Sequence, residues 1–60
     1  MTFKLEINTD NAAFDGAPLL EVARMLRDLA SHLEDAGDTI NLPLYDVNGN
    51  RVGFAVLANP

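Results

Sequence analysis

Apolar and polar positions alternate strictly through residues 2–8, TFKLEIN. Phe3, Leu5 and Ile7 fall on one side, Lys4, Glu6 and Asn8 on the other. That period of two predicts a half-buried strand. A polar connection, TDNAAFDGAP, follows, with Phe14 as its anchor into the core. From Pro18 the period changes. Leu19, Val22, Ala23, Leu26, Leu29, Ala30 and Leu33 recur at spacings of three and four and form the apolar stripe of a helix. Pro18 suits the first turn, Asp15 is placed to cap the helix or favour its dipole, and Gly37 can end it in a left-handed conformation. Alternation returns in TINLPLYD, with Ile40, Leu42 and Leu44 inward and Asn41, Pro43 and Tyr45 outward. In RVGFAVL it puts Val52, Phe54 and Val56 inward. The order is strand, helix, strand, strand.

The connection DVNGNRVG decides how the last two strands meet. Asp46, Asn48 and Asn50 alternate as at the start of a calcium loop, but Arg51 and Leu57 stand where such a loop needs glycine and glutamate. The glycines are followed by a strand pattern rather than the helix that a phosphate loop opens onto. The stretch is therefore a hairpin turn. A two-residue Asn48-Gly49 turn would set Leu44 against Gly53 and Leu42 against Ala55, and would put the two apolar sets on opposite faces. A three-residue loop, Val47-Asn48-Gly49, pairs Asp46 with Asn50. Leu44 then opposes Val52, Leu42 opposes Phe54 and Ile40 opposes Val56, with Gly49 left-handed.

Pro43 cannot donate to a ladder, so its strand belongs at an edge. The expected fold is α+β: one βαββ domain over residues 1–60, with a three-stranded antiparallel sheet in the order 1-3-2 and one helix across one face. The open face would carry Lys4, Glu6, Asn41, Pro43, Tyr45, Arg51, Gly53, Ala55 and Leu57, with Tyr45 and Arg51 opposite each other. The first strand would leave a free edge.

Sixty residues bury only about 60% of the unfolded surface, and the absence of cysteine removes both disulfides and thiolate metal sites. Self-association is one way for so small a chain to gain stability. The start shows no signal-peptide pattern and no stretch is apolar enough to span a bilayer, so a cytoplasmic protein is expected. Nine acidic residues against four basic ones give a net charge of −5. Such a surface repels nucleic acid and anionic membranes and attracts basic proteins.

Candidate chemistry is sparse. His32 is the only histidine and falls on the polar side of the helix, near Asp28 and Asp35. Ser31 is its neighbour in sequence and cannot face it on a helix. No histidine cluster has metal-ligand spacing, and no carboxylate pair sits in an apolar setting. Neither catalysis, nor a metal, nor a cofactor is expected. Arg24 has Glu21 and Asp28 at helical spacing as ion-pair partners. Four scattered cations do not make a nucleic-acid site. The anomaly is at the end of the helix, where Glu34, Asp35 and Asp38 oppose the dipole, with Asp28 one to two turns earlier. The candidate partner-binding residues are these four carboxylates, with Tyr45 and Arg51 as the anchors that interfaces favour.

The segments TDNAAF, EVARMLRDLASHLE and DVNGNRVG together resemble a group of short acidic proteins of phages and other bacterial mobile elements. The resemblance covers nearly the whole chain, which departs from the pattern by the proline-bearing TINLPLY. It implies a strand, a helix and a terminal hairpin. It also implies an inhibitor of host defence, of the anti-CRISPR kind, that covers a basic nucleic-acid-binding surface of a bacterial protein such as a CRISPR-Cas component. No residue role carries over. The alternative is a self-associating structural module or small regulator, a homodimer formed through the first strand or the open sheet face.

Overall fold

The computed structural model describes residues 1–58. Strand β1 (Lys4–Ile7) leads through a single 3-10 turn, Ala12–Phe14, to helix α1 (Pro18–Ala36). Strands β2 (Ile40–Tyr45) and β3 (Arg51–Leu57) follow. The sheet is antiparallel, in the order β1-β3-β2. The expected topology holds, and the strand bearing Pro43 is an edge.

The hairpin begins as its sequence implies. The Asp46 N–H donates to the Asn50 carbonyl at 2.9 Å, the Gly49 N–H donates to the Asp46 carbonyl at 3.0 Å, and Gly49 has φ 84°. Tyr45 faces Arg51, as expected. The register then slips by one. Leu44 pairs with Gly53, Leu42 with Ala55 and Ile40 with Leu57, so Val52 is an extra residue on β3. Such a bulge resets the alternation of every residue after it. The expected partners of Leu44, Leu42 and Ile40 (Val52, Phe54 and Val56) are therefore corrected. Val52 stays in the core, whereas Ala55 replaces Phe54 on the helix side. Phe54 pairs with Pro43 and Glu6, and Val56 with Asn41 and Lys4, on the open face. Leu42 and Phe54 thus lie on opposite faces.

Packing explains this choice. The core lies between α1, which comes closest to β2, and the middle strand of the sheet. Gly53 and Ala55 are the small residues there, and Ala55 is 0% exposed. Phe54 in the same place would hold the helix away. The buried core is Phe14, Met25, Leu29, Leu44, Val52 and Ala55, bordered by Ile7, Ala13, Val22, Leu33, Ile40 and Leu42. Each large side chain in it contributes roughly 1.5–3 kcal/mol.

The helix is rotated from its expected stripe. Its buried positions are Glu21, Met25 and Leu29, while Leu19 is 79% exposed and Leu26 and Ala30 are also exposed. Phe14 fills the space beside the first turn and turns the buried arc toward Met25. Asp15 does not cap α1. The N-cap is Ala17, without a side-chain hydrogen bond, and Asp15 closes the 3-10 turn instead. Gly37 ends the helix at a positive φ of 81°, but its ψ of −117° lies outside the left-handed helical conformation expected for it.

Gly53 has a second constraint. A Cβ there would overlap the backbone carbonyl of Glu6 in β1. Bulge, glycine and neighbouring strand fit one another, so Gly53→Ala is expected to cost about 2 kcal/mol or more in chemical denaturation, since backbone has to move. Gly49→Ala, in open space at positive φ, should cost only about 1 kcal/mol. A Gly53→Ala protein as stable as the parent would contradict the close approach of β1 and β3.

Candidate functional site

Two carboxylates hold the hairpin tip against the helix. Asp46 is 4% exposed and Glu21 8%. One Asp46 oxygen, Oδ1, accepts the N–H groups of Asn48 and Asn50, each at 2.9 Å, and Oδ2 accepts from the Asn11 amide at 3.3 Å. One side chain thus closes the turn and ties it to the loop before α1. Glu21 accepts the Val47 N–H at 2.7 Å and receives Arg24 through Nε at 2.6 Å and Nη2 at 3.1 Å. Arg24 also reaches Asp28 at 3.0 Å. The two ion pairs expected for Arg24 are both present.

Burial pushes the Asp46 carboxyl up, but hydrogen bonds from Asn50, Asn11 and Asn48 outweigh it and hold its pKa below the ordinary value. The Arg24 hydrogen bond lowers the Glu21 pKa, with the Val47 N–H assisting and burial opposing. Neither carboxylate was assigned this role from the sequence. The available signals were the D-x-N-G order of an Asx turn at Asp46 and the position of Glu21 inside the arc that Met25 and Leu29 bury.

Beside this junction, α1 and the outer edge of β2 enclose an open groove of about 340 Å³. Met25, Leu29, Leu42 and Leu44 form its floor, Asp28 and His32 its helical rim, and Pro43 and Tyr45 its opposite rim. Tyr45 is 51% exposed. The His32 Nδ1 lies 2.9 Å from the Asp28 carbonyl. A carbonyl can only accept, so that nitrogen carries its proton.

Of the six predicted partner-binding residues, the structure brings Asp28 and Tyr45 together on this groove. It pairs Tyr45 with Arg51 across the strands. Asp35 falls on the Asp28 side of the helix, two turns further on. Glu34 and Asp38 lie at the helix end, away from the hairpin tip. Among the described residues, the ion pairs formed are Arg24 with Glu21 and Asp28, and none involves Glu34, Asp35 or Asp38. No group of three or more metal-binding side chains is clustered among the described residues, and no helix is long and apolar enough to cross a membrane. Comparison with family models, curated proteins and solved structures returns no significant match.

The lowered pKa values make stability depend on pH. A carboxylate depressed in the folded state stabilises above its unfolded pKa, and that contribution is lost as pH falls through the folded value. Stability should therefore be level at neutral pH and decline on acidification below the ordinary carboxyl values, 4.5 for a glutamate and 3.8 for an aspartate, from which Glu21 and Asp46 are lowered. Asp46→Asn and Glu21→Gln should each be less stable at pH 7 and show a shallower acid decline, measured by thermal unfolding across the acid range. Parallel pH profiles for parent and variants would contradict the assignment.

Proposed function

We propose that this chain is a small acidic protein-binding inhibitor that engages a basic surface of another protein by the groove side of α1 and β2. The observation that carries the proposal is the groove itself. It joins an apolar floor, a half-exposed tyrosine and a carboxylate rim on one side of a protein of net charge −5. Interfaces favour an aromatic anchor at an apolar centre and charges at the border, which steer the approach of an oppositely charged partner. Asp35 continues the Asp28 flank of the helix, and Glu34 and Asp38 add negative charge at the helix end, where the dipole disfavours it.

The partner class is a basic protein surface of the kind that binds nucleic acid. The resemblance to short mobile-element proteins supports a bacterial cytoplasmic setting and a target in host defence, a CRISPR-Cas component being one instance. In this role the chain binds no nucleic acid itself and carries out no catalysis.

The test is capture from a bacterial lysate by the immobilised protein. Parent, Tyr45→Ala and a variant with Asp28, Glu34, Asp35 and Asp38 changed to their amides would be compared. The parent should retain a basic protein, release it as salt rises, and lose it to added nucleic acid. Neutralising the four acids should reduce retention about tenfold or more, and Tyr45→Ala should weaken it separately. Equal capture by all three proteins, or indifference to competing nucleic acid, would overturn the proposal.

A further inference from the structure

The two edges of the sheet are not alike. On β2, Pro43 has no N–H to offer a further strand. On β1 there is no proline, and the backbone groups are arranged for a partner. The Asn8 N–H donates to the Val52 carbonyl of β3 at 2.7 Å. In an antiparallel ladder the direction alternates, so Glu6 and Lys4 also turn their backbone groups to β3, while Ile7 and Leu5 turn theirs outward. The side chains around this edge are apolar on the helix face. Phe3 is 43% and Leu5 41% exposed. The flank of α1 above them is the one that carries Leu19 and Leu26. Phe3 borders a depression with Leu33, and Asp28 marks the opposite flank, over β2. The chain exposes 4271 Å², against about 3,800 Å² for a monomeric protein of its mass.

From this edge we infer that two copies of the chain pair β1 to β1, antiparallel, with Leu5 on the two-fold axis, making one continuous sheet from two three-stranded sheets. Charge selects that register. The free edge permits an axis at Lys4, Leu5 or Glu6. An axis at Lys4 sets Lys4 against Lys4 of the second copy, and an axis at Glu6 sets Glu6 against Glu6. Only the axis at Leu5 sets Lys4 of each copy against Glu6 of the other, twice over. It also makes Leu5 exchange both backbone hydrogen bonds with its own counterpart. Directly opposed residues share a face, so both helices lie on the same side. Phe3, Leu5 and Ile7 of the two copies then form one apolar floor between the two helix flanks that carry Leu19 and Leu26. The groove beside β2 stays open on both outer edges, so this pairing does not depend on the binding role assigned to that groove.

Sedimentation velocity from micromolar to millimolar concentration tests the pairing. The parent should shift from monomer to dimer as concentration rises. Lys4→Glu and Glu6→Lys, both on the exposed face, should each raise the dissociation constant about tenfold by setting like charges opposite one another. The double variant, and an equimolar mixture of the two single variants, should recover association, because opposite charges then face across the axis again. Circular dichroism would verify that each variant is folded. A parent that remains monomeric throughout, single reversals that associate as the parent does, or a mixture that fails to recover would each overturn the proposed pairing.

Discussion

Everything after Arg51 in β3 is positioned by one extra residue, Val52, and by the glycine behind it. Without the bulge, the central strand would present Phe54 to the helix. With it, Ala55 lies beneath α1, and Met25, Leu29, Leu42 and Leu44 close in from either side. The glycine is fixed by the opposite neighbour. Position 53 lies so close to the Glu6 carbonyl that a side chain has no room there. The middle strand is thus tightened on two fronts at once, by small residues under the helix and by a bare backbone against β1. A chain with so few core residues depends on such contacts, because each sizeable core side chain is a large share of the roughly 3–9 kcal/mol that sixty residues usually retain.

The hairpin that carries the bulge is held by charge rather than by apolar bulk. Its tip residue Val47 is 64% exposed, so its side chain adds nothing to the core. Asp46 closes the turn from inside, Asn11 joins it to the 3-10 segment, and Glu21 reaches from the helix to the Val47 N–H. Two carboxylates at one junction would repel, and Arg24 offsets this by binding Glu21 while its charge also acts on Asp46. Burying charge is worthwhile only where every oxygen has a donor, and among the described residues no buried side-chain polar atom is left without one. The same arginine extends to Asp28 on the groove rim, so the structural network and the candidate binding surface share a residue.

The sequence made the element order, the edge position of Pro43, the left-handed Gly49 and the Tyr45–Arg51 pair legible, because each follows from a local rule of backbone geometry. It did not reveal the bulge, because alternation in RVGFAVL is satisfied by either phase. Phe54 and Val56 form as good an apolar set as Ala55 and Leu57 until the helix above them is considered. The helix rotation escaped for a related reason. Leucines at 19, 26 and 33 draw the stripe toward themselves, whereas burial is set by where Phe14 and the hairpin tip touch α1. The burial of Asp46 and Glu21 was not legible, because burial of a polar group depends on partners distant in sequence, Asn11 and Val47. In the candidate site, Asp28 and Tyr45 converge across the groove. Glu34 and Asp35 lie in the last turn of α1 and Asp38 just beyond it, so their proximity was already implicit in their spacing along the chain.

The misplaced leucines carry physical information of their own. Leu19 and Leu26 continue a helical period that a solvated surface does not need, and they stand on the flank that the small sheet leaves uncovered. The opposite flank bears Asp28 and Asp35 and faces the proline-bearing edge. One helix therefore has an apolar side toward β1 and an acidic side toward β2, and the two sheet edges differ in the same sense. An apolar flank beside an edge with unpaired backbone groups invites a strand. An acidic flank beside a proline discourages a strand and leaves the tyrosine-bordered groove for a different kind of contact. The asymmetry arises because α1 lies closer to β2 than to β1, held there by Phe14 beside its first turn and by Glu21 on the Val47 N–H of the hairpin.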